Sequence, residues 1–199
     1  VVIAVTSEAA GRKRFTAFLV PRDTPGLSVT ASMPLPFLRP SPHGGLRLDG
    51  CAVPVSAVLG EAEAAYEQMV IPFGGVEDLL MTGPILGALE RLEALAIEAL
   101  RNREAPDPSL IGELGDVHAL YSALRGLAYD AATDLDRGSP LSGLPQTIPW
   151  VSLAGALPGR LAALRERTGE DLDPKQARLQ ADLAALFSLG SRRLPARTT

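Results

Sequence analysis

The side chains that could do chemistry here are sparse: two histidines, one cysteine, some serines and several acidic pairs. His43 and His118 are too far apart to form a spaced ligand pair, and no cysteine or carboxylate cluster accompanies either, so no metal site is expected. His43 lies in a Ser-Pro-His-Gly-Gly turn, whereas His118 follows Val117 and reads as a helix-surface or interhelical histidine. Cys51, being alone, rules out an internal disulfide and any cysteine-based cluster. Ser41, Ser56 and Ser188 lack the Gly-x-Ser-x-Gly elbow that exposes a hydrolytic nucleophile. Gly74-Gly75, ahead of a helical pattern, could cradle a phosphate or serve as a hinge into the helix, and the hinge is the preferred reading. Glu77-Asp78 and the cluster Gly169-Glu170-Asp171-Leu172 read as acids at helix starts, where negative charge complements the dipole. Trp150, the only tryptophan, is expected to anchor a bundle.

Those residues need a scaffold, and the composition supplies one. The chain has 199 residues, 46% hydrophobic and 21% charged, enough for one ordinary domain or two small ones. A net charge of −4 with no basic stripe argues against nucleic acid as a partner. The apolar run from Leu79 to Leu89 is broken by Gly83 and Pro84 and falls short of the ~20 residues that cross a bilayer, so no membrane partner is expected, and the lone cysteine fits a reducing cytoplasm. The opening Val1-Val2-Ile3-Ala4-Val5 reads as a strand and lacks an initiating Met, which suggests a fragment or decayed copy whose first strand pairs with an upstream neighbour.

Near Gly60 the character of the chain changes from short β-like runs to Ala/Leu-rich helical spacing. Residues 1–6 and 15–20 are expected to be strands joined by a polar loop over 7–14, with further strands at 27–31, 45–48 and 51–53. A first helix is expected from about Val76, bent at Pro84, with Ile85, Leu89, Leu92, Ala96 and Leu100 on one face. A long second helix follows with Leu110, Leu114, Val117, Tyr121, Leu124, Ala128, Ala131 and Leu135 in a seam spaced four and three. A third carries Leu153, Leu157, Leu161 and Leu164 and is kinked or divided by Pro158. Asp173-Pro174 starts a fourth, with Leu179, Leu183 and Leu186 on its apolar face and Gly190 at its end. A flexible loop over 138–147 and a frayed tail over 192–199 complete the reading. The fold class is therefore α+β: a partial antiparallel β-domain followed by an antiparallel four-helix bundle.

Several of these segments carry a family's pattern. The strand and turn Phe18-Leu19-Val20-Pro21-Arg22-Asp23-Thr24-Pro25-Gly26, then Leu38-Arg39-Pro40-Ser41, Leu48-Asp49, Val53-Pro54 and Leu59-Gly60, follow the order and spacing of the middle β-domain of acyl-CoA dehydrogenases. The chain resembles that family to about Asp136, and the resemblance makes residues 1–60 the end of the middle β-domain and 61–199 the C-terminal helical bundle.

The resemblance implies α,β-dehydrogenation of an acyl-CoA thioester with FAD, in which a glutamate removes the α-proton. Glu77 stands where the branched-chain and long-chain types place that base, although Asp78 replaces the arginine that follows it in the family. Arg103 stands where the family grips the adenosine end of FAD, but the following Phe-Gly is replaced by Glu104-Ala105. Gly169-Glu170-Asp171-Leu172 does not reproduce the Tyr-Glu-Gly of the family's other base position, and the segments that hold the flavin ring are not present. Arg12-Lys13-Arg14 reads as a solvent-facing run, with contact to a CoA phosphate as the other option. The implied partners are an acyl-CoA substrate, a homo- or hetero-oligomer formed through the bundle, and an electron acceptor flavoprotein. The alternative is a catalytically silent scaffold subunit that pairs with an intact flavoprotein.

Overall fold

A computed structural model describes residues 1–33, 43–105, 107–139, 147–169 and 171–191, with only the backbone at 147–149 and 189–191. The expected Leu38-Arg39-Pro40-Ser41 motif and most of the expected loop over 138–147, like the tail over 192–199, lie outside the described residues. The chain divides into two compact units, Val1–Val76 and Glu77–Thr199.

In the first unit, β1 (Val2–Ala9) pairs antiparallel with β2 (Arg12–Phe18), which pairs in turn with β5 (Val58–Leu59). The hairpin corrects the expected eight-residue loop: residues 7–9 and 12–14 are strand, and the turn is Ala10-Gly11 with φ of 51° and 75°. Two successive positive φ values match the right-handed twist of the flanking strands, which is why so short a connection suffices. These outer strand ends face solvent, so they lack the apolar alternation that marks a half-buried strand. A second small sheet pairs β3 (Leu27–Val29) with β4 (Leu46–Leu48), while 51–53 is not a strand.

The Thr-Pro-Gly signature is a built turn. Thr24 donates to the Pro21 carbonyl through both its N–H, at 3.2 Å, and its hydroxyl, at 2.8 Å. Gly26 has φ +88°, and a Cβ there would fall 2.0 Å from the Asp49 carbonyl oxygen. Inside the unit, Thr16 is 2% exposed and its hydroxyl oxygen bonds the Thr6 hydroxyl at 2.8 Å and accepts from the Glu63 N–H at 2.9 Å. Phe15 meets the Tyr66 ring at 5.7 Å between centroids.

A π-helical turn over Tyr66–Val70 leads without a break into α1 (Ile71–Arg101). The expected start at Val76 is thereby corrected, and the helix continues through Pro84. Gly74-Gly75 is helix, so it is neither a hinge nor a phosphate-binding turn, and Glu77-Asp78 is not in the first turn. Beside the gap that Pro84 leaves in the hydrogen-bond ladder, the Thr82 hydroxyl donates to the Leu79 carbonyl at 2.7 Å. Because the helix is continuous, Tyr66–Arg101 is long and apolar enough to cross a membrane by length and composition, contrary to the expectation drawn from Gly83 and Pro84. From Ile85 onward, though, it behaves as a core helix, with Ile85, Leu89, Leu92, Ala96 and Leu100 all buried.

The second unit adds α2 (Pro108–Asp136), α3 (Thr147–Thr168) and α4 (Pro174–Ser191). One apolar cluster joins all four helices, with Leu89, Val117, Leu124, Leu157 and Leu164 almost completely enclosed. The α2 seam packs as its spacing requires, and Pro158 does not divide α3. Leu153, expected in the α3 seam, is 42% exposed, and the buried line is instead Trp150, Ala154, Leu157, Leu161 and Leu164. Trp150 is the anchor that its sequence position suggested, 4% exposed and donating its indole N–H to the Leu124 carbonyl at 2.8 Å.

Candidate functional site

Glu77 lies in the second turn of α1 with its side chain exposed and without a hydrogen-bond partner among the described residues. Asp78 beside it is half-buried, and Leu80, three residues on, is 69% exposed. A carboxylate that is to take a weakly acidic proton needs a dry pocket to hold its proton affinity up. Among the described residues Glu77 has apolar sequence neighbours and is exposed.

Arg103 lies at the other end of α1, where the Asn102 and Arg103 N–H groups close the last turn on Glu98 and Leu100. From Glu77 to Arg101 the helix rises about 36 Å, at about 1.5 Å per residue, so the two candidate residues form no compact site. The Arg103 guanidinium donates one N–H to the Arg167 carbonyl at 3.2 Å and is otherwise exposed.

Around it sits a polar clamp joining α2 to the end of α3. Arg167 donates to the Glu113 carboxylate and, at 2.8 Å, to the Ser109 hydroxyl, with Asp107 3.6 Å away. Asp107 caps α2 by accepting from the Ser109 N–H at 2.9 Å and the Ser109 hydroxyl at 2.7 Å. These two bonds from Ser109, then the charges of Arg167 and Arg103, hold its carboxyl below the usual carboxylate range. The Arg167 half of the clamp is not legible in the sequence, because nothing local brings residue 167 beside residue 109.

His118 bonds through Nδ1 to Glu93 Oε1 at 2.8 Å, an interhelical contact of the kind its place beside the seam suggested. Glu93 is 4% exposed. Its signal in the sequence is an acid four residues after Leu89, on an otherwise apolar line. At the turn between α3 and α4, Gly169 at φ +70° caps α3 through bonds to the Arg165 and Glu166 carbonyls, and Asp173 caps α4 by accepting from the Lys175 and Gln176 N–H groups. Asp171 is exposed between them, and Glu170 lies outside the described residues. Among the described residues no group of His, Cys, Asp and Glu is placed to hold a metal ion.

No protein-family model matches the chain. It is 30% identical over 144 residues to a mitochondrial isovaleryl-CoA dehydrogenase of Oryza sativa subsp. japonica, covering 69% of this chain and 35% of that protein. It is 35% identical over 105 residues to an (R)-benzylsuccinyl-CoA dehydrogenase of Thauera aromatica, covering 52% and 25%. Its fold is similar to that of butyryl-CoA dehydrogenase from Megasphaera elsdenii, with a TM-score of 0.73 at 20% identity over 94% of this chain and 50% of the other. The chain thus spans half or less of the length of the proteins it matches. Sequence and fold together place the chain in the acyl-CoA dehydrogenase family, matched to the C-terminal part of its members.

Proposed function

We propose that the chain is the C-terminal part of an acyl-CoA dehydrogenase-like flavoprotein, with residues 1–60 ending its middle β-domain and 61–199 forming its bundle. The observation that carries this is the 144-residue sequence match, which extends well beyond any single motif. The reaction is the α,β-dehydrogenation of an acyl-CoA thioester, and FAD, when bound, takes up the β-hydrogen as hydride. Nothing in the comparisons favours a silent scaffold subunit.

The residues present fit FAD only in part. Among the described residues the exposed Arg103 guanidinium makes one hydrogen bond, to Arg167, which leaves it suited to a phosphate as a bidentate acceptor. Trp150 is not available to the ring end, being buried with its indole N–H committed to Leu124.

Glu77 is the proposed base. Its exposure is consistent with a site completed by other protein segments and by the acyl chain, whose arrival would dry the carboxylate and raise its proton affinity. Oligomerisation through the bundle and an electron-accepting flavoprotein are the partners this reading entails. Glu77→Gln, made in the longest form of the protein that holds flavin, should abolish bleaching of the flavin by acyl-CoA while leaving the flavin bound. Bleaching at the wild-type rate would remove Glu77 from the site.

A further inference from the structure

A cavity of about 290 Å³ opens between α1, α3 and α4 at the end of the bundle where α3 turns into α4. That is close to the lower end of the ~300–1,000 Å³ range of small-molecule sites. It lies within the second unit and contains neither Glu77 nor Arg103. Part of its wall is leucine from α1 and α3, and the rest is polar: Arg91 and Glu98 of α1, Arg165 of α3, Asp171 of the turn and Gln180 of α4.

Four of the charged side chains in the wall are unspent. Arg91, Glu98, Arg165 and Asp171 make no side-chain hydrogen bond or ion pair among the described residues, although two are cations and two are anions around one space. The remaining carboxylate in the wall, Asp173, is committed to capping α4. Among the described residues the Arg165 Nε is buried without an acceptor, unlike that of a freely solvated arginine. Opposite charges that line one cavity without meeting each other complement a molecule that carries both signs, and the leucine wall adds room for an apolar group.

We propose that this cavity binds a small zwitterion of amino-acid type with an apolar side chain, its carboxylate toward Arg91 and Arg165 and its ammonium toward Glu98 and Asp171. The test is calorimetric titration of the full chain with leucine, with 4-methylpentanoate, which lacks the ammonium, and with isoamylamine, which lacks the carboxylate. Leucine should bind, and each singly charged analogue should bind about ten-fold more weakly or worse. Arg165 is partly buried and its replacement risks the fold, so the variants are Arg91→Gln and Glu98→Gln, both at exposed positions. Each should weaken leucine about ten-fold while leaving the thermal midpoint of the free chain in place. The proposal is overturned if leucine gives no binding heat, if the analogues match it, or if both variants bind leucine as the wild type does.

Discussion

Gly26 and Tyr121 show how much single side chains, or the lack of one, decide here. Gly26→Ala places a methyl 2.0 Å from the Asp49 carbonyl at a φ that L residues rarely adopt. It should cost about 2 kcal/mol or more, read as a lowered urea midpoint. Tyr121 is 5% exposed, and burial pushes its phenol up, helped by Glu90 and opposed by Arg125. The folded state therefore keeps a proton that the unfolded chain releases near its ordinary value of about 10, so this contribution is present below that pH and lost above it. Urea midpoints should fall more steeply above about pH 10 in the wild type than in Tyr121→Phe. Equal slopes would show that the phenol does not govern alkaline stability. Residues of this kind were legible in part. The Thr-Pro-Gly run announced its turn, and Trp150 its anchoring role, through local chemistry alone. The partner of His118, by contrast, is fixed by where α1 and α2 pack, which the spacing of either helix leaves undetermined.

The helices were easier to read than their interruptions. The seams on α1 and α2 follow directly from spacings of three and four, because only a buried stripe needs them. Gly74, Gly75, Gly83 and Pro84 argue locally for a break, yet the helix continues through all four, carried by the well-packed turns that follow them. Propensities of this size give way to tertiary packing. The shift of the α3 stripe onto Trp150 and Ala154 has the same origin: a large aromatic fills the position facing α2, and Leu153 is turned outward. In the β unit the charged hairpin end has the composition of a loop and yet is strand. Its turn carries a testable imperfection. Ala10 sits at φ 51°, where Gly or Asn is better tolerated. Ala10→Asn should stabilise the β unit by about 0.5–1 kcal/mol, measured by hydrogen exchange of the β1–β2 amides.

For the whole chain, the α+β class and the order of strands before helices were legible in the sequence, and the two compact units meet at Val76, inside a continuous helix. Composition reports secondary structure, and contacts decide what moves with what. The partial fit to FAD leads to a further expectation. Purified as it stands, the chain should show no stoichiometric flavin absorbance after incubation with FAD, while a form carrying the remaining length of its relatives should. A stably yellow chain would mean that ring contacts exist beyond those described. Either experiment will need an optical record of folding, and the protein has one built in. Its only tryptophan is sealed between α2 and α3, so indole emission is a private channel to the helical unit. A red shift will announce the opening of the bundle, and the β unit can melt without a trace in that signal, visible only to circular dichroism or to the tyrosine at position 66.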